Sequence, residues 1–224
     1  MATWLVTGAN RGLGLEFARQ LRARGDEVLA TARKPDRAEE LRATGAAVLP
    51  LEVSDPDSIG ALAKALSGRA IDVLVNNAAV TDEDRKIGDL SMDAFRRVFD
   101  VNVFGTALVA QALLPNLRAG KRRLIANISS QLGSVANASS GFSYAYCASK
   151  AALNMATVKM AKDLEAERFT VVTLCPGWNR TDMGGAEAPL DPKDSIRDLI
   201  RLIDGFTVKD SGRYVQHNGK ALPW

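Results

Sequence analysis

The chain has 224 residues, 46% apolar and 25% charged, with a formal net charge of +3 and both signs spread along its length. This composition argues for one substantial core and against disorder, a disulfide framework (only Cys147 and Cys175), most metal centres and a Ser-His-Asp triad (only His217). No apolar run reaches membrane-spanning length, and the densest basic cluster, "GKRRL" at 120–124, lacks the interleaved aromatics of a nucleic-acid surface.

"TWLVTG" reads as a short buried strand entering a helix from about Gly12 to Arg24, with Leu15, Phe17, Ala18 and Leu21 apolar. "EVLATA" is a second strand, a polar helix over 35–44 follows, and "AAVLPL" is a third strand. Ser54 or Asp55 before Pro56 marks a helix start, with that helix running to about Ser67. "IDVLVNNA" is a fourth strand. Ser91 then caps a long helix, with room for a break, reaching Leu117. "RLIANIS" is a fifth strand, an Ala-rich helix carries "YAYCASKAALN", and "FTVVTLCP" is a sixth strand. The tail "DSGRYVQHNGKALPW" reads as an edge strand closed by a turn at Asn218-Gly219.

Strands alternating with helices predict βαβ units: a single-domain, doubly wound Rossmann fold with a mostly parallel seven-stranded sheet and helices on both faces. One domain is expected over 1–224, with a cofactor half to about residue 130 and a catalytic and substrate half beyond it. The chain runs straight from Met1 into the first strand without a secretory pattern, so a reducing cytoplasm is the expected compartment.

"VTGANRGLGLEFA" places Gly8, Gly12 and Gly14 between the first strand and first helix. Glycines there let the backbone turn sharply and approach a pyrophosphate, which the helix N-terminus can bind; a tight turn without a ligand is the alternative. NAD-binding folds usually carry an acid about 20 residues further on, at the end of the second strand. Here that place reads "ATARK", with Arg33 and Lys34, and Arg11 lies inside the glycine turn. Cations in place of the acid favour NADP(H) over NAD(H), unless Arg33 is merely solvated.

Tyr146 and Lys150 are four apart on one helix face, whereas Tyr144 and Lys150 point away from each other. Asn76 to Val80, Ser129 with Ser130, and Pro176-Gly177 all fall at strand ends, where open α/β sheets bind ligands. Asn102 sits among apolar neighbours in the long helix and needs partners there.

In order, TGxxxGxG (Thr7 to Gly14), NNA (76–78), Asn102, Ser130, YxxxK (146–150) and PG (176–177) resemble the short-chain dehydrogenase/reductase family over essentially the whole chain. "NASSGFSYAYCASKAALN", "PGWNRTDMGG" and "LPW" are most similar to its sniffer and C-factor group of carbonyl reductases. The resemblance implies NADPH-dependent reduction of an aldehyde, ketone or quinone by a tetrad of Asn102, Ser130, Tyr146 and Lys150.

In that reading Tyr146 donates the proton and Ser130 hydrogen-bonds the substrate oxygen. Lys150 lowers the tyrosine pKa and holds the nicotinamide ribose, and Asn102 holds a water linking Lys150 to solvent. Ser129 is the alternative to Ser130, and the family pattern favours the second serine. The implied cofactor contacts are Gly8, Asn10, Arg11, Gly12, Leu13 and Gly14 in the turn, and Arg33, Lys34, Glu52 and Val53 around the adenosine. Asn77, Ala78 and Ala79 follow strand four, and Tyr146, Lys150, Pro176, Gly177 and Thr181 complete the set, with Thr181 anchoring the nicotinamide amide.

Several positions depart from the family pattern. Glu52 stands for the usual Asp, Ala79 for Gly, and Asn179 with Arg180 place polar groups beside the nicotinamide loop. Cys147 reads as a packed small residue. The loop before Tyr146 is long and expected to line the substrate site, and the short segment after Pro176 predicts an open site for broad, small carbonyls. A homodimer or homotetramer through the helices at 91–117 and 144–166 is expected, with no nucleic-acid, membrane or metal partner. Two alternatives are an NADP(H)-binding signalling protein with little turnover and a nucleotide-sugar epimerase. The few residues after Pro176 disfavour the epimerase.

Overall fold

In the computed structural model, residues 1–82, 86–141 and 143–224 are described, and the apolar runs of the sequence form one sheet. Its strands are β1 (Thr3–Val6), β2 (Glu27–Ala32), β3 (Ala47–Pro50), β4 (Val73–Asn76), β5 (Leu124–Ile128), β6 (Thr170–Cys175) and β7 (Tyr214–Gln216). They lie in the order β3-β2-β1-β4-β5-β6-β7, and every adjacent pair is parallel. The order reverses between β1 and β4, which sets the topological switch point where such sheets bind ligands. All residues of β4, β5 and β6 are buried, as continuous rather than alternating apolar runs require when helices cover both faces.

On one face the core joins α1 (Gly12–Ala23) to the sheet, with Leu15, Phe17, Ala18 and Leu21 buried as the periodicity predicts. The polar helix expected over 35–44 is instead a 3-10 turn at Pro35–Arg37 followed by α2 (Glu39–Ala43). Ala38 leaves helical geometry between them (φ −98°, ψ 57°) and is buried in the core. On the other face α3 (Pro56–Ala65) begins at Asp55, whose side chain accepts the Asp57 N–H, which decides between the two expected caps.

Ser91 caps the long helical region by accepting the Ala94 N–H. That region runs as α4 (Met92–Phe99), a π-helical segment (Asp100–Gly105), α5 (Thr106–Ala112) and α6 (Leu114–Ala119). α7 (Tyr144–Asp163) carries the Tyr–Lys pair and starts after Ser143, which adopts φ +54°. Phe142 in the preceding loop lies outside the described residues.

α8 (Pro192–Gly205) was not among the expected elements, although its signals are in the chain. Asp191 precedes Pro192 and accepts the Lys193 N–H, and Ile196, Leu199, Ile200 and Ile203 repeat at helical spacing on the face it buries beside α1. The tail forms β7 as expected. A turn at Gly219 (φ +86°) then lets Ala221 bridge back antiparallel to Val215. No helix among the described residues is long and apolar enough to cross a membrane.

Candidate active site

The glycine turn is laced to the end of β4. Thr7 Oγ1 accepts the N–H groups of Asn77 and Ala78, both at 3.0 Å, and Asn77 Nδ2 donates to the carbonyls of Thr7 (2.9 Å) and Gly8 (3.2 Å). That closeness explains two glycines. A Cβ on Gly8 would lie 2.8 Å from Ala78 Cα, and one on Gly14 would lie 2.5 Å from the Gly8 carbonyl oxygen. Asn77 and Ala78 therefore act here as scaffold for the turn.

α1 opens without a side-chain cap from Arg11 and without an acid in its first turn. Its first N–H groups, in Gly12 and Leu13, sit at a positive helix end and meet no acceptor among the described residues, which fits an anionic pyrophosphate. Asn10 and Arg11 are exposed and Leu13 is half-buried beside them. Thr181 Cγ2 lies 3.6 Å from where a Gly12 Cβ would be, so the segment after β6 closes over this helix end. Thr181 Oγ1 accepts the Gly184 N–H at 3.1 Å.

The cations assigned to a 2′-phosphate each lean on an acid. Arg33 lies 3.9 Å from Glu52 and Arg11 lies 3.1 Å from Asp182, both pairs being exposed. Such pairs contribute about 0–1 kcal/mol and leave the arginines free to turn to a better anion. Lys34 is exposed beside them. Glu52 also takes the Ser54 hydroxyl at 2.9 Å, and Val53 is buried beneath α5.

Beyond β5 the two serines part. Ser129 is buried with its hydroxyl donating to Asn154 Oδ1 at 2.7 Å, whereas Ser130 is half-buried, accepts the Leu132 N–H at 3.2 Å and lies beside the Tyr146 phenol. Lys150 is buried, donates to the Ile128 carbonyl at 2.9 Å, and holds its ammonium 5.6 Å from the centre of the Tyr146 ring. Ser130, Tyr146 and Lys150 thus converge at the ends of β5 and α7.

Their electrostatics correct one expectation. Burial pushes the Lys150 ammonium down to about 8. Tyr146 keeps partial solvent access, yet the protein packed around its phenol pushes it up to about 12, opposed in part by the Ser130 hydroxyl. In the protein alone, desolvation outweighs any help from the lysine, whose ammonium is engaged by Ile128 rather than by the phenol oxygen.

Asn102 is fully buried in the π-helical segment. Its Oδ1 accepts the Val80 N–H at 2.9 Å, and its Nδ2 donates to the Val80 carbonyl (2.9 Å) and to Ser149 Oγ (3.0 Å). Both amide hydrogens are committed, so this side chain braces the loop after β4 against α7, and its Oδ1 keeps one lone pair with which to accept from a water.

Asn179 likewise serves as a brace. It is buried, donates to the carbonyls of Pro176 (2.9 Å) and Gly177 (3.0 Å), and pairs through its backbone with Leu190. Ala79 is half-buried in the β4 loop. Asp82 escaped the sequence reading: its buried carboxylate accepts the Tyr146 N–H at 3.2 Å and so caps α7 from a distant loop. Nothing in its local sequence marks that contact, because the two residues meet only in the fold.

A doubly wound sheet whose switch point gathers a glycine turn, a Ser–Tyr pair and a buried lysine defines a nucleotide-binding, dehydrogenase-like protein. The short chain dehydrogenase family matches residues 2–190, and the chain belongs to that family. It is 44% identical over 154 residues to the C-signal of Myxococcus xanthus, covering 69% of this chain and 93% of that protein. It is 33% identical to the 1-hydroxy-2-glutathionyl-2-methyl-3-butene dehydrogenase of Rhodococcus sp. (strain AD45), over the whole of both chains. Among solved structures it resembles the NADPH-bound carbonyl reductase from chicken fatty liver (TM-score 0.94, 33% identity, 100% of this chain and 99% of that one). The carbonyl reductase Sniffer of D. melanogaster is equally similar in fold (TM-score 0.94, 30% identity, 100% of both chains).

Proposed function

We propose that this oxidoreductase reduces a carbonyl compound to an alcohol with NADPH, Tyr146 acting as the proton donor. The observation that carries the reading is the meeting of Ser130, at the end of β5, with Tyr146 beside the buried Lys150. The solved relatives that are carbonyl reductases, one of them bound to NADPH, support it.

Bound NADPH supplies the hydride that reaches the carbonyl carbon. Tyr146 then gives its phenolic proton to the carbonyl oxygen, while Ser130 donates a hydrogen bond to that oxygen as it gains charge. A phenol near 12 resists losing its proton, so the emerging phenolate needs a neighbouring charge, which Lys150 holds. With its own pKa near 8, Lys150 can also return a proton to the phenolate close to neutral pH. Gly12 and Leu13 would hold the pyrophosphate, Thr181 would lie along the nicotinamide side, and Arg11, Arg33 and Lys34 would meet the 2′-phosphate.

Leu132 and Val135 on the loop before α7, with Trp178 and Met183 on the segment after β6, are exposed apolar side chains on the two segments expected to line the substrate site, and would suit apolar or aromatic carbonyls.

The C-signal relative favours a second reading, a cofactor-binding signalling protein with little turnover. The two separate in one assay. Purified protein is mixed with NADPH and a panel of aldehydes, ketones and quinones, with NADH and Tyr146→Phe as controls. Turnover lost in the variant while NADPH still binds supports the reductase. Tight binding without turnover on any carbonyl supports signalling.

A further inference from the structure

Tyr214, the first residue of β7, belongs to none of the motifs above, yet it lies directly behind the Ser130 main chain. It is buried, and its phenol donates to the Ser130 carbonyl. Asn154, one turn beyond Lys150 on α7, lies against the same phenol. Asn154 also accepts from Ser129 Oγ (2.7 Å) and donates to the Gly133 carbonyl (3.1 Å).

From the other side the Trp224 ring stacks on Tyr214, with centroids 5.2 Å apart and planes 24° apart. The Trp224 main-chain oxygen accepts the Ala136 N–H at 3.0 Å. One tyrosine and its two neighbours therefore tie down the segment that runs from Ser129 to Ala136.

Ser130 needs such a tie. The pairing of β5 with β6 ends at Ile128 and Leu174, and Ser129 N–H to the Leu174 carbonyl (2.7 Å) is the last main-chain bond between them there. Past that point the sheet no longer dictates which way the Ser130 hydroxyl turns. The other anchors are local: Ser130 Oγ accepts the Leu132 N–H at 3.2 Å and its carbonyl accepts the Gly133 N–H at 2.9 Å, both within the short turn itself, and the Gln131 N–H meets the Cys175 sulfur at 3.2 Å.

We propose that Tyr214, clamped between Asn154 and Trp224, is a positioning residue that fixes the Ser130 main chain so that its hydroxyl faces the Tyr146 phenol. The proposal rests on the reading that Ser130 and Tyr146 act on a carbonyl substrate. Tyr214→Phe is the direct probe, because it keeps the stack on Trp224 and removes only the phenol oxygen.

The first readout needs no turnover. The chain has three tyrosines, so NMR of the isotope-labelled phenol carbons can follow Tyr146 individually once each signal is assigned by substitution. Tyr214→Phe is expected to move the Tyr146 signal in the same direction as Ser130→Ala does. Carbonyl turnover is expected to fall about five- to tenfold in kcat, with NADPH affinity unchanged. In a Ser130→Ala background the same substitution should cost no further turnover, because there is no hydroxyl left to aim.

A Tyr146 signal that stays in place in Tyr214→Phe, or an equal loss of kcat in both backgrounds, overturns the proposal. Trp224→Ala, which leaves the phenol intact but unclamped, should give a smaller shift in the same direction. It decides the matter if Tyr214→Phe does not fold. A wild-type protein that reduces no carbonyl would sink the reductase reading alone, since the NMR comparison still reports whether Tyr214 aims Ser130.

Discussion

At the scale of single residues, burial perturbs Lys150 and Tyr146 in opposite senses, each toward its neutral form. The lysine makes this testable through stability. The folded protein releases the Lys150 proton near 8 and the unfolded chain near 10.5, so between those values the unfolded state holds more protons and stability rises with pH. Below 8 the cost of burying the charge is present in full. Lys150→Met should therefore stabilise the protein by about 2 kcal/mol at pH 7, after the lost bond to Ile128 is set against the gain. The advantage should shrink through the window from 8 to 10.5 and turn into a loss of about 1 kcal/mol above it, where only the missing bond to Ile128 counts, as read by thermal melts across pH.

The cofactor cations are open to a similar test. Arg11 and Arg33 are exposed and only loosely paired, so turning to a phosphate costs them little. Arg33→Ala and Arg11→Ala should each weaken NADPH binding about tenfold or more while leaving NADH binding nearly unchanged, measured by calorimetry at fixed salt.

At the scale of elements, the π-helical segment turns Asn102 inward to satisfy both backbone groups of Val80. Asn102→Ala would leave that N–H and carbonyl without their partner, and a loss of about 2–4 kcal/mol in chemical denaturation is expected. Asp82 acts on α7 in a related way. The Ser143 side chain does not cap the helix, and the Asp82 carboxylate satisfies the Tyr146 N–H in the first turn and suits the positive helix end. Asp82→Ala should cost about 1 kcal/mol, lowering the melting temperature by a few degrees, and Asp82→Asn should restore most of it.

At the scale of the whole molecule, exposed apolar side chains occur on both helical regions expected to pair between subunits. Phe104 and Leu108 lie one turn apart at the join of the π-helical segment and α5, and Met155 lies on α7. Phe104 also continues a file of rings from Phe95 through Phe99. We expect a homodimer through these helices. Phe104→Asp should shift it to monomer in light scattering coupled to size exclusion, with little change in the far-UV spectrum.

The order of strands and helices, the glycine turn and the Tyr146–Lys150 face were legible in the chain, because each depends on a repeat or spacing within some twenty residues. α8 is legible in the same way, from Asp191-Pro192 and the helical spacing of Ile196, Leu199, Ile200 and Ile203. The split of the helix over 35–44 was not legible, because the burial of Ala38 depends on a core that local propensity does not describe. Contacts between distant segments were also out of reach: Asp82 with Tyr146, Asn102 with Val80, and Tyr214 with Ser130 are separated by 64, 22 and 84 residues. The pKa directions of Tyr146 and Lys150 belong with them, since desolvation is set by what the whole fold packs around a group. Which chemical groups are present, and the periodic elements that carry them, follow from the order of residues, because periodicity and spacing are local. Which of those groups meet, and in what dielectric surroundings, depends on the packed fold, because it brings together segments far apart in the chain.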